Sequence, residues 1–124
     1  MTIDKAIIEA DELRGNMLGK RVKRNLLSEL DGRIYYELFE PQSSEGFSGY
    51  GDETPGDTEL LVPYPYDRLY VLYLDGEICR LSGDTVKYNN SRILFNEMYD
   101  AFTRWYHRNR KKEFPNIRFP MRRY

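Results

Sequence analysis

The side chains best suited to nucleophilic or zinc chemistry in this 124-residue sequence are one histidine, His107, and one cysteine, Cys79. Tetrahedral zinc sites draw on several such ligands, so these two cannot furnish a set. His107 has no carboxylate within four residues and falls at the end of a basic helical pattern, where a protonated imidazole suits the helix dipole. It reads as a surface or partly packed side chain. Cys79 lies beside an apolar stripe and reads as an inert packed thiol. Carboxylates gather at Asp52, Glu53, Asp57 and Glu59, but not at the spacing of a calcium loop. The stretch GFSGYG, residues 46–51, imitates a phosphate-binding loop only in composition. No βαβ setting precedes it and no Lys-Ser/Thr pair follows. The expectation is a protein that is not an enzyme, with no catalytic residues, no metal ligands and no cofactor.

Tyrosine is the residue type in surplus, with 11 copies. Four of them, Tyr64, Tyr66, Tyr70 and Tyr73, stand in LLVPYPYDRLYVLYL, residues 60–74. Tyrosine combines broad apolar area with a hydrogen-bonding tip and orders at low entropic cost, which is why it collects at interfaces. Two readings stand side by side. All four rings serve an interface, or Tyr70 and Tyr73 belong to the core and only Tyr64 and Tyr66 mark its boundary.

Charge is distributed unevenly behind a net of −1. Residues 104–124 carry eight basic side chains against Glu113 alone, a local net of +7; the other 103 residues carry 11 bases and 19 acids, a net of −8. Such a tail suits an anionic partner: nucleic acid, an acidic protein surface, or the acidic face of a neighbouring copy. Phe114, Phe119 and Tyr124, alternating with prolines and arginines, suit docking into apolar pockets better than a plain polycation would.

The elements that must position these residues are mainly helical. Composition is that of a globular domain, with 31% charged and 40% hydrophobic residues, and no apolar run is long enough to cross a bilayer. The start lacks the layout of a secretory signal, and one cysteine allows no intrachain disulfide, which fits a reducing cytoplasm. Ile3, Ala6, Ile7, Ala10 and Leu13 predict a helix over 2–13 capped by Thr2. Val22, Leu26, Leu27, Leu30, Ile34, Leu38 and Phe39 predict a second from about Lys20 to Glu40, with Gly32 as a bend or a close-packing point and Pro41 as its end. Residues 41–63, rich in Gly, Ser, Asp and Pro, predict a long loop or β-hairpin excursion. A third helix begins at Pro65–Asp67 with a stripe through Leu69 or Tyr70, Tyr73 or Leu74, Ile78 and Leu81. After SGD at 82–84, Asp84 or Thr85 caps a fourth helix to about His107, striped by Phe95, Met98, Tyr99, Phe102, Trp105 and Tyr106. The fold expected is a small bundle of about four helices over residues 1–108, followed by an extended basic tail over 109–124.

Two stretches are more particular than helix patterning requires, LLVPYPYDRLY and KYNNSRILFNEMY. Together with LLSELDGRIYYELFE and FSGYGDETPGDTELLVP, they resemble small head–tail connector (adaptor) proteins of tailed bacteriophages and prophages, over residues 3 to 108. The resemblance implies a non-enzymatic virion component in the neck, assembled in the host bacterial cytoplasm. It would form a homo-oligomeric ring under the portal protein, receive a stopper or tail-completion protein, and surround DNA passing through the channel, with no membrane involved. It further implies protein contacts at Phe47, Tyr50, Tyr64, Tyr66, Asn89 and Asn90. The tail residues Arg108, Arg110, Lys111, Lys112, Phe114, Arg118, Phe119, Arg122 and Arg123 would meet the portal or DNA. The other reading of the same tail is a small DNA-binding or regulatory protein.

Overall fold

The computed structural model describes residues 1–40 and 46–111, with side chains through Asn109. The tail positions from Lys112 onward, including Phe114, Arg118, Phe119, Arg122 and Arg123, lie outside the described residues. Four helices form the body: α1 (Ile3–Leu13), α2 (Lys20–Ile34), α3 (Leu69–Leu81) and α4 (Thr85–Lys111). α2 runs on into a π-helical turn, Tyr35–Phe39, and a short 3-10 turn, Tyr66–Arg68, leads into α3. The expected mainly helical bundle is what forms, and among the described residues no strand pairs.

Local chemistry sets the ends. Thr2 caps α1, its Oγ1 accepting from the Lys5 amide at 3.1 Å, and Asp84 Oδ1 accepts from the Lys87 amide at 3.1 Å at the start of α4. Between α3 and α4, Gly83 takes φ +83°, the left-handed backbone that favours glycine after a helix. α4 continues to Lys111, so the expected boundary at 108/109 falls inside a helix: residues 109–111 extend it rather than open the tail.

α3 is the central helix, buried from Leu69 to Leu72 and from Leu74 to Cys79. It packs on α1, α2 and α4, so a single stripe understates how much of it is enclosed. The core runs through Ile3, Ile7, Leu27, Leu30, Ile34, Leu61, Leu74 and Ile78 into an aromatic layer. There Phe39 lies 5.0 Å from Tyr106 and 6.3 Å from Phe102 between ring centres. Three of the four expected stripes lose a member to solvent: Leu13 and Leu81 at helix C-termini and Val22 in the first turn of α2.

The span after residue 45 is a loop, and its return leg pairs with the start of the chain rather than with its own outgoing leg. Glu59 forms an isolated antiparallel bridge with Thr2. Around it the Ile3 amide donates to the Thr58 carbonyl at 3.1 Å and the Leu60 amide to the Met1 carbonyl at 2.9 Å.

Candidate functional site

Two places concentrate unusual chemistry: a buried carboxylate beneath the loop, and an open groove along α4.

Asp31 comes from α2 and is fully enclosed. Its Oδ1 accepts from the Tyr70 hydroxyl at 2.6 Å; its Oδ2 accepts from the Tyr50 hydroxyl at 2.5 Å and from the Leu61 amide at 3.1 Å. The Tyr70 hydroxyl in turn accepts from the Val62 amide at 2.8 Å. Burial pushes the Asp31 carboxyl up to about 6, although the bonds from Tyr50, Tyr70 and Leu61 pull the other way. Burial likewise raises the Tyr70 hydroxyl, and the adjacent Asp31 charge adds to it. Every donor here belongs to the chain itself, so the network joins α2, α3 and the loop and leaves no face for a substrate.

Neighbouring tyrosines extend the attachment. The π-helical turn presents Tyr35 and Tyr36 to the same loop. Tyr35 Oη accepts from the Gly46 amide at 2.6 Å, and Tyr36 Oη donates to the Phe47 carbonyl at 3.1 Å. Phe47 stacks on Tyr35 and meets Tyr50 edge-on. Gly32 marks no close approach; a Cβ there would meet the Phe47 ring at an ordinary 3.9 Å. Gly49 is different. Its φ is +91° and a Cβ would fall 2.6 Å from Ser28 Oγ, the hydroxyl that accepts from the Tyr50 amide at 2.9 Å. The Arg24 guanidinium also donates to the Thr54 carbonyl.

These contacts sort the expected interface residues. Tyr50 is buried within the chain and anchors the loop, so it is not part of an outward docking surface. The cause is the buried carboxylate, to which the Tyr50 hydroxyl donates. Phe47 is half-buried between Tyr35 and Tyr50. Tyr66 is half-buried against Phe102 and Trp105. Tyr64 stands 86% exposed, in a cis peptide with Pro65. Tyr70 is core, whereas Tyr73 is half-buried, with its ring beside Phe95 and under Arg92. Asn89 and Asn90 are exposed on α4. His107 is half-buried, edge-on to Tyr106, and burial raises the Cys79 thiol, making it a poor nucleophile. Among the described residues no three His, Cys, Asp or Glu side chains converge as metal ligands, and no helix is long and apolar enough to cross a membrane.

The open region lies along α4. Its inner stripe, Phe95, Phe102 and Tyr106, is buried, but its outer face leaves Val86, Ile93 and Leu94 at 70%, 57% and 51% exposure. Between α3 and α4 runs a groove of about 340 Å³ lined by Arg68, Leu72, Leu94, Glu97, Met98 and Ala101. A second groove of about 330 Å³ adjoins it through Arg68, Leu72 and Leu94, and reaches Leu13 of α1, Lys87 and Asn90. Its polar wall is set. Arg14 Nε donates to Asp75 Oδ1 and Ser91 Oγ to Asp75 Oδ2, each at 2.6 Å. Burial alone would raise the Asp75 carboxyl, but the hydrogen bonds from Arg14 and Ser91 outweigh it and hold it below the usual carboxylate range. By contrast, Arg68, Glu97, Asp100, Arg104 and Arg108 make no ion pair among the described residues.

Compared with protein-family profiles, curated proteins and solved structures, the chain finds no match. The resemblance to phage connectors rests on the motifs quoted above.

Proposed function

We propose that this chain is a structural assembly protein, a head–tail connector of a tailed phage or prophage, acting in the virion neck as a ring of identical copies beneath the portal. The observation that carries the reading is the outer face of α4. That face presents Val86, Asn89, Asn90, Ile93 and Leu94, an apolar and amide surface without a charge among those five. Depletion of charge within an apolar patch is the composition of contact surfaces rather than of solvated helix faces. Ring contacts are heterologous, one face meeting a different one, and the acidic body and basic tail suit that. The grooves offer concave receptors, with no cluster of convergent acid, base and nucleophile, which supports a binding role over a catalytic one.

The test is co-assembly of the full chain with its cognate portal protein, imaged by negative stain. Ring density added to the portal is the expected outcome; particles of portal alone would remove the reading. The +7 carried by residues 104–124 favours one other reading, duplex DNA binding through the tail. That predicts affinity falling steeply as salt rises, and no binding at low salt would eliminate it.

A further inference from the structure

The two grooves beside α4 meet at Leu94. One has Lys87, Asn90, Ser91 and Leu94 as its α4 wall, the other Leu94, Glu97, Met98 and Ala101. Arg68 and Leu72 on the opposite side are common to both, so the two make one trough. Residues 87, 90, 94, 97 and 101 are spaced three, four, three and four apart, which puts them in one line along a helix. Beside that line Val86 and Ile93 stand out at 70% and 57% exposure, with Leu94 at 51%. A ridge and a trough thus lie side by side on one surface, which is what a self-complementary contact between two copies needs.

Charge along the line names the occupant. Its middle, from Asn90 to Leu94, has Lys87 towards the N-terminus and Glu97 towards the C-terminus. Glu97 makes no ion pair among the described residues. Lys87 has a loose one, its Nζ 3.8 Å from Asp84 Oδ2 with both side chains exposed to solvent, and such a pair holds weakly. From the level of residue 92, Lys87 and Glu97 lie five residues away in opposite directions, about 7.5 Å each. A second α4 running antiparallel, with a two-fold axis at that level, sets Lys87 beside Glu97 of the second copy and Asn90 beside its Leu94. The symmetry repeats both pairings. A parallel second helix would instead set Lys87 against Lys87 and Glu97 against Glu97, opposing like charges at both ends. Nucleic acid suits this face poorly, because Glu97 and Asp100 would repel its phosphates.

We infer that two copies of this chain associate through α4, antiparallel about an axis level with residue 92, with Ile93 and Leu94 at the centre and Lys87 joined to Glu97 of the second copy at each end. Three exposed large apolar side chains per copy make a small contact, so the dimer is weak, with a Kd of roughly 100 μM. The contact is isologous and closes on itself, so it cannot propagate into a ring. It covers Val86, Ile93 and Leu94, the side chains that a ring contact would use. A chain held in the dimer is therefore kept out of the ring until the portal offers a better surface. Only that restraint rests on the connector reading; the dimer does not.

Sedimentation equilibrium of the full chain tests the contact. Mass is expected to be near that of the monomer at about 10 μM and close to that of the dimer at about 1 mM. Lys87→Glu and Glu97→Lys each set like charges together at both ends, and each is expected to raise Kd about tenfold. The double swap, Lys87→Glu with Glu97→Lys, restores opposite charges and should return Kd to within about threefold of the parent. Both side chains are exposed, so circular dichroism should show unchanged helicity in all three variants. Monomer mass at every concentration overturns the inference, as does a dimer that neither single swap weakens or that the double swap fails to restore. Association of the basic tail with an acidic body would be tightened by Lys87→Glu, and that result overturns it too. Portal co-assembly separates the two claims. A chain that joins the portal yet stays monomeric throughout keeps the connector reading and loses this one. A dimer with the expected charge pattern, in a chain that never joins the portal, does the reverse.

Discussion

The loop at 46–62 and the outer face of α4 reverse what their sequences suggest. The loop is rich in glycine, serine and acids, yet its backbone and rings are bound at many points to α1, α2 and α3. α4 is a regular helix 27 residues long, yet its outward face leaves Val86, Ile93 and Leu94 exposed among polar side chains. Regular secondary structure satisfies the backbone and says nothing about whether side chains have found partners. Irregular backbone next to a core must find partners elsewhere, and here it finds them in Asp31, Ser28 and the tyrosines. The lesson is that the irregular region is finished within the monomer and the regular one is not.

The sharpest way to break this contrast is Asp31→Ala. It leaves the Tyr50 and Tyr70 hydroxyls and the Leu61 amide without their acceptor, and burying such groups unpaired costs about 3–5 kcal/mol in total. Urea unfolding is the measurement, and a loss below about 1 kcal/mol would mean the loop is held by its other contacts.

A gentler perturbation uses pH. The Asp31 carboxyl sits at about 6 when folded against 3.8 for the ordinary group. The native chain therefore binds this proton more tightly than the unfolded chain does. Stability from this group rises as pH falls through 6, is complete below about 4, and is absent at higher pH. Between pH 7 and pH 5 the expected gain is roughly 1 kcal/mol, and it should vanish in Asp31→Asn. Asp11 and Asp75, held below the usual carboxylate range, act in the opposite direction, their contribution being lost as pH falls from the ordinary carboxylate value through their lower folded ones. A profile flat from 7 to 5 would show that Asp31 stays charged throughout.

The smallest effect is expected on α4. Ile93→Ser and Val86→Ser remove side chains that touch little within the chain, so monomer stability should move by no more than about 0.5 kcal/mol. Portal co-assembly should nevertheless weaken markedly. A large stability loss in either variant would show that this face is already covered.

Helices were legible in the sequence because each buries a continuous stripe. Thr2 and Asp84 announced their starts because capping is local chemistry. Leu13, Val22 and Leu81 misled because periodicity cannot say where neighbouring helices stop. The Asp31 network went unread because an acid on a helix normally faces water. The signal was present all the same: Asp31 stands four residues after Leu27 and four before Tyr35, in the middle of the apolar stripe. The loop's partners were unreadable for a different reason. Contacts such as Tyr50 to Asp31 and Glu59 to Thr2 depend on how separate elements meet, and no local pattern encodes them. Asn90 in the wall of a groove and the exposure of Tyr64 needed the assembled bundle as well.

The bonds around Asp31 also tie the folding of distant parts of the chain together. Its three partners lie 19, 30 and 39 residues away along the chain. None can be reached by closing a short loop, and distant closures follow the contacts that bring their ends together. The carboxyl has all its donors only when α2, α3 and the loop have met around it. The Leu61 and Val62 amides, bonded to Asp31 and Tyr70, are thus expected to exchange with solvent only when that junction opens, which hydrogen exchange would read.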